Sequence, residues 1–204
     1  ALISRHGTPK VEGFYILQLA LEQGLGLDVG AEMQRRIFDR FGMTRTSMQW
    51  RADFRPNLAD GYNSNGEFEP HDERSSVSAA GSMDTTIADQ ARMWAGIVNG
   101  EGLNAASREE LTRPQFAINS AHQFPSLRTD TDARGPAINL SAGLGLVTFS
   151  DASNEMFFKG GHNDWTGNMA VCHEVRRRCV VLLANSVRAE LIYPAMVSFI
   201  LGET

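Results

Sequence analysis

The chain has 204 residues, 42% of them hydrophobic, with a formal net charge of −5 and a pI near 5.5. That length allows roughly 70% of the unfolded surface to be buried, enough for a true core. The acidic balance argues against a nucleic-acid partner, which would be met by a basic face. No apolar run approaches the 18 or so residues of a membrane-spanning helix.

The N-terminal stretch has neither the basic start nor the apolar core of a signal peptide, although a processed signal would leave the same picture. The compartment, cytoplasmic or periplasmic, is therefore open. Residues 1–11 indicate no clear element. Residues 14–23 (FYILQLALEQ) are apolar nearly all round and predict a buried helix, stopped by Gly24 and Gly26. Asp28 can cap a second helix running to Asp39, with Met33, Ile37, Phe38 and Phe41 as its stripe and Gly42 ending it. Residues 44–80 are polar and irregular, a long connection of the kind that shapes or covers a site. Thr86 with Asp89 gives a capping-box pattern for a third helix. Ile87, Ala91, Trp94 and Val98 line one face of it, and Asn99-Gly100 closes it. Ser107 and Glu110 repeat the pattern for a short helix before Pro114. Residues 115–140 are expected to be loop, and a strand is expected around Leu144, Leu146 and Thr148.

The stretch 156–185 organises the rest. A short strand at 156–158 is expected to run into a turn, Lys159-Gly160-Gly161-His162, followed by two strands, 168–175 and 178–185, joined at Val175-Arg176-Arg177. The three arginines at 176–178 are read as a solvated hairpin tip. Pro194 suits the first turn of a last helix, whose apolar run 195–201 can dock on the sheet. Helices first, then strands, then a closing helix define an α+β fold with an antiparallel sheet. Its helical part is expected at about 12–115, and its sheet and C-terminal helix at about 140–202. Cys172 and Cys179 would fall opposite each other across this hairpin. A cross-strand disulfide is conceivable there, but the reading preferred is two buried free thiols packing as small hydrophobes.

Chemistry-bearing motifs are few. There is no G-x-S-x-G elbow, no P-loop and no dinucleotide fingerprint. The five histidines (His6, His71, His122, His162 and His173) are scattered. His162 and Asp164 alone are too few ligands for a metal, so neither metal nor cofactor is expected. Lysine is rare: Lys10 and Lys159 are the only two. A lysine on a strand edge can hold an anionic group or tune a neighbouring base. Paired glycines let a substrate backbone come close. Lys159 and His162 are thus the catalytic candidates. Gly160, Gly161, Asn163 and Asp164 are the candidates for substrate contact.

Several stretches in order resemble the serine β-lactamase, penicillin-binding-protein and esterase superfamily, in its class C-like branch. Residues 12–18 (EGFYILQ) resemble the helix after its Tyr-x-Asn-type motif. Residues 37–46 (IFDRFGMTRT) are similar to its "PLGM…T" segment, with Arg40 and Phe41 replacing Pro and Leu. Ala59-Asp60-Gly61-Tyr62 matches "A-x-G-Y", and residues 79–89 resemble its "AAGG…ST…D" stretch. Residues 159–164 (KGGHND) stand where the family has Lys-Thr-Gly or His-x-Gly, and 180–185 resemble its last core strand. The resemblance implies a small ester, amide or β-lactam substrate. A serine in Ser-x-x-Lys attacks its carbonyl, a lysine and a tyrosine manage the proton, and an acyl-enzyme is hydrolysed. It implies Lys159 as the third-motif cation, Gly161 as that motif's glycine, and a backbone N–H from His162 toward the oxyanion.

Here the chain departs from the pattern. Three residues before Lys10 stands Gly7, and three before Lys159 stands Met156, so there is no Ser-x-x-Lys. The tyrosine position is taken by Pro9, Lys10 and Val11, and Tyr62-Asn63-Ser64 has the wrong third residue. Residues 2–9 (LISRHGTP) resemble the family's "LLSHTSG" segment, which normally lies well upstream of the tyrosine motif. The expectation is a partial, truncated or rearranged β-lactamase-like domain lacking the first strands and helix. Such a sheet would present an unpaired edge and recruit a second copy or a complementing segment. Two functional readings stand: a serine hydrolase inactive without its complement, and a non-catalytic protein that binds a ligand or partner through the remaining cleft.

Overall fold

A computed structural model describes residues 12–121, 130–150 and 155–202. The stretch 2–9 and Lys10 lie outside the described residues. Helix α1 (Glu12–Leu19) loosens into a π turn at Ala20–Gly24. Helix α2 (Val29–Met33) does the same over Gln34–Phe38. Asp28 caps α2 as expected, its carboxylate accepting the Ala31 N–H at 2.9 Å. Phe38 and Phe41 bury with Met43 and Met48, and Met33 and Ile37 pack on them. Gly42 ends the element at φ +61°.

The expected burial of α1 is overturned. Ile16 is 67% exposed and Leu17 51%. A helix apolar all round needs neighbours on every side, whereas α1 is met by the 77–79 segment and, through Phe14, by Lys159 of the sheet. Gln18 donates to the Val77 carbonyl at 3.3 Å and accepts the Ala79 N–H at 2.9 Å. The remaining apolar surface of α1 faces outward.

The connection 44–80 is more ordered than its composition suggests. It holds a 3₁₀ helix at Ala52–Asn57 and a short antiparallel pair, β1 (Gly61–Tyr62) and β2 (Phe68–Glu69). Helix α3 (Ile87–Asn99) starts at Thr86, whose hydroxyl accepts the Asp89 N–H at 3.3 Å. The reciprocal half of the expected capping box is missing. The fully buried Asp89 carboxylate instead accepts the Arg45 N–H and the Thr46 hydroxyl, both at 2.8 Å, and pairs with Arg92. This buried acceptor ties the chain at 45–46 to α3, a stronger demand than a solvated cap. Trp94 and Val98 face the sheet, whereas Ile87 at 51% exposure does not complete that stripe. Gly100, at φ +75°, closes α3. In α4 (Ala105–Thr112) the cap is Asn104 rather than Ser107, with its side chain accepting the Ser107 N–H at 2.8 Å.

The expected loop 115–140 contains β3 (Phe116–Ala117) and the single turn α5 (Arg134–Ala137). The strand expected around 144–148 is two strands, β4 (Ser141–Ala142) and β5 (Val147–Ser150). They are split by a turn in which Gly145 takes φ +77°. Then follow β6 (Glu155–His162), β7 (Gly167–His173) and β8 (Arg178–Ala184). The six strands form one antiparallel sheet in the order β3-β4-β5-β6-β7-β8. The 3₁₀ turn Val187–Ile192 leads into α6 (Tyr193–Leu201), with Pro194 in its first turn as expected.

Alternation along the strands sends neighbouring residues to opposite faces. Phe157, Ala170 and Cys172 meet Trp94 and Val98 of α3 on one face. Met156, Val171, Val180 and Leu182 meet Tyr193 and Leu201 of α6 on the other. The fold is therefore α+β, a helix layer on each side of an antiparallel sheet. Among the described residues no strand pairs with the outer side of β8.

Two expectations about the hairpin are corrected. Lys159-Gly160-Gly161-His162 is not a turn: β6 runs on through His162, paired residue by residue with β7. Cys172 and Cys179 are not free thiols. They face each other in the β7–β8 register with Cα atoms 4.0 Å apart and form a disulfide. Direct opposition across the β7–β8 ladder sets the two side chains next to each other on one face, which a reading as separate small hydrophobes leaves out of account. Phe157 lies at the centre of the α3-facing core and is 1% exposed. Phe157→Ala should lower unfolding stability by about 3–5 kcal/mol, read from denaturant midpoints at unchanged slope.

Candidate functional site

The site forms where β6 outruns its neighbour. β5 pairs with β6 only from Glu155 to Phe158, so among the described residues Lys159, Gly160, Gly161 and His162 have a strand on the β7 side alone. An extended backbone with one open side is a docking edge. Neither Gly160 nor Gly161 has a positive φ. A Cβ at either would meet its nearest neighbour at 3.4 or 3.5 Å, an ordinary contact. The glycines are not demanded by strain or crowding. Their effect is to leave the end of β6 without side chains, so that its main chain can be approached.

Lys159 sits at the root of this open segment, half-buried. Its ammonium donates to the Gly160 carbonyl at 2.6 Å and lies 5.7 Å above the ring of Phe14 on α1. Among the described residues no carboxylate is paired with it, and burial pushes its pKa below the ordinary lysine value. A poorly solvated ammonium held by one carbonyl and an aromatic face is ready to take an oxygen ligand from outside.

His162 ends the strand. Its Nδ1 lies 3.3 Å from each carboxylate oxygen of Glu190 in the 3₁₀ turn after β8. Asn163 and Asp164 follow in the β6–β7 turn, both exposed. The side-chain oxygen of Asn163 is occupied within that turn, accepting the Trp165 and Thr166 N–H groups at 3.0 and 2.7 Å and the Thr166 hydroxyl at 2.9 Å. Asn163 therefore shapes the turn. Trp165 packs over Gly61, where a Cβ would come within 2.5 Å of its ring. The Tyr62 N–H reaches the carbonyls of Asn185 at 2.8 Å and Trp165 at 3.2 Å. The long connection thus returns to the end of β6. Phe14, Trp165, Gly167 and Glu190 were not singled out from the sequence. Phe14 is 145 residues away from Lys159, and Glu190 follows the last strand with no motif of its own. Among the described residues no cluster of three or more His, Cys, Asp or Glu could hold a metal.

An antiparallel sheet between helix layers is the architecture this chain shares with serine β-lactamases and penicillin-binding proteins. The Beta-lactamase family model matches residues 12–195, and the chain belongs to that family. Solved structures agree in fold. A penicillin-binding protein from Bacillus halodurans is 18% identical with a TM-score of 0.71, over 92% of this chain and 54% of that one. A D-amino acid amidase from Ochrobactrum anthropi SV3, complexed with D-phenylalanine, is 19% identical with a TM-score of 0.65, over 94% and 60%. A class C β-lactamase is 16% identical with a TM-score of 0.65, over 93% and 55%. The chain spans little more than half the length of these proteins. Comparison with curated proteins returned no match.

The desolvated lysine has a measurable signature. Its folded-state pKa is below the unfolded value, so the charged form costs stability. That cost is complete below the folded pKa and is relieved as pH rises toward the ordinary value of 10.5. The contribution of Lys159 to stability should therefore increase from neutral pH toward about pH 10. Subtracting the curve of Lys159→Met from that of the wild type, by denaturant unfolding across this range, should isolate the rise.

Proposed function

We propose that this chain forms one wall of an acyl-transfer site for a small ester, amide or β-lactam. The observation that carries the reading is the one-sided end of β6, bare of side chains at Gly160 and Gly161 and rooted in the desolvated Lys159. An acyl group laid along this edge would exchange main-chain hydrogen bonds with it. Lys159 would attract the substrate carbonyl or a nearby anionic group, and the His162 N–H would face the developing oxyanion. Asp164 and the turn built on Asn163 would form the rim. Membership of the Beta-lactamase family supports this, as do the names of the amidase and β-lactamase that share the fold.

In this reading the nucleophile comes from outside these residues, because neither lysine follows a serine at Ser-x-x-Lys spacing. The working site is then completed by a segment outside these residues, which supplies the nucleophile and covers the outward face of α1 and the free side of β8. Both surfaces are of the kind that recruit a partner.

With the 204-residue chain alone, we expect no turnover of a nitrophenyl butyrate or a chromogenic cephalosporin, and no covalent labelling by a serine-directed phosphonate. Light scattering should show an oligomer. Turnover together with labelling would overturn the assignment of the nucleophile to an outside segment. Saturable binding of the cephalosporin without turnover by any assembled form would favour a purely ligand-binding role for the same cleft.

A further inference from the structure

The three arginines at 176–178 take no part in the proposed acyl-transfer site. Two of them are nonetheless held in place. Arg177 takes a left-handed backbone at the tip of the β7–β8 hairpin, with φ +55°. Its guanidinium turns back to α3 and donates to the Val98 carbonyl at 2.7 Å. Arg176 turns the other way and donates to the Leu201 carbonyl of α6 at 3.3 Å. Arg177 thereby stands at one end of a groove between α3 and β8. The groove holds about 210 Å³ and is lined by Ile87, Ala91 and Ala95 on the helix and by Cys179 and Val181 on the strand. The two alanines leave room that larger side chains on α3 would fill. Among the described residues no carboxylate lines it. Glu174 is paired with Arg108, which donates to the same Val98 carbonyl at 2.8 Å. The disulfide meets this groove through one sulfur only. Cys172 is fully buried, whereas Cys179 is half-buried and lines the groove, its Sγ 3.5 Å from the Trp94 carbonyl oxygen.

We infer that the Cys172–Cys179 disulfide is a thiol-exchange site entered at Cys179, and that the groove beside it takes a small thiol carrying negative charge. The inference is independent of the acyl-transfer reading. Cys172 and Cys179 pair next to the hairpin tip, whereas Gly167, opposite His162, pairs with Ala184 at the far end of β8. The entering thiolate attacks Sγ of Cys179. A bond forms between these two sulfurs as the Cys172–Cys179 bond breaks. The electron pair leaves on Cys172, which takes the proton that the entering thiol gave up. No further oxidant or reductant is needed. Burial shields the sulfur of Cys172, so access decides which of the two is attacked. Arg177 draws anions to the groove and favours the thiolate over the thiol. The products are a mixed disulfide on Cys179 and a free thiol on Cys172. β8 is then held to β7 by hydrogen bonds and packing, without a covalent tie.

Reduction of the intact chain by glutathione, 2-mercaptoethanol and cysteamine tests this, because the three are anionic, neutral and cationic. Rates are compared per thiolate at about pH 8. Glutathione should be fastest and cysteamine slowest, apart by on the order of three- to ten-fold at low salt and converging at high salt. Arg177→Gln should remove most of that spread. Arg176→Gln loses the same charge on the α6 side and should keep it. The mixed disulfide formed by glutathione, trapped with acid and mapped by peptic digestion, should lie on Cys179. In Cys172→Ala, oxidised glutathione should load the remaining Cys179 about ten-fold or more faster than it loads Cys172 in Cys179→Ala. Backbone spectra establish that each variant is folded, and the trapped wild-type adduct locates the attack without any variant. Cysteamine as fast as glutathione, a spread untouched by Arg177→Gln, a glutathionyl group on Cys172, or a disulfide that resists all three thiols in the folded chain each overturns the inference. None of these outcomes bears on the ester and cephalosporin assays, which alone decide the acyl-transfer reading.

Discussion

The pairing of β6 with β7 is the constraint on which the rest depends. Seven consecutive residue pairs, from Met156 with His173 to His162 with Gly167, set which side chains face α3 and which face α6. A slip of one residue would exchange Met156 with Phe157 and Val171 with Cys172 between the two cores. It would also turn Lys159 from the side that reaches Phe14 to the other side of the sheet. The site is thus a by-product of register: β7 carries β6 four residues beyond the point where β5 leaves it.

Much of this architecture is legible in the residues. Asp28, Thr86, Gly42, Gly100 and Pro194 mark helix ends by local chemistry, and local chemistry is visible in a sequence. The alternation in 168–173 and 178–184 likewise reveals the hairpin. Errors arose where a distant partner decided the outcome. Asp89 has the spacing of a capping residue, but the Arg45 N–H and the Thr46 hydroxyl, more than forty residues away, claim its carboxylate. Residues 14–23 have the composition of a buried helix, yet composition cannot say whether neighbours exist to bury it. Gly160 and Gly161 read as a turn because glycine weakens strands. The pairing with β7 overrides that preference.

The candidate site divides in the same way. Lys159 could be found because it is a rare residue beside two glycines at the end of an apolar strand. Its physical state could not. Its burial and the ring of Phe14 are facts of packing between the first helix and the middle of the sheet. Asn163 is a candidate for substrate contact by position, and only the structure shows that its side-chain oxygen holds the turn together. Glu190 is invisible in the sequence because its contact with His162 spans 28 residues and no local motif marks it.

The disulfide between Cys172 and Cys179 acts on the strand with the free side. By bonding β8 to β7 at one fixed pair, it makes sliding of the last strand a covalent impossibility and not merely an energetic penalty. Val180 and Leu182 therefore keep one facing, and the outward main-chain groups between them keep one phase. Any strand that docks there meets a ruler whose divisions cannot shift. For a strand laid against it, the order of residues and not only their composition would decide the fit.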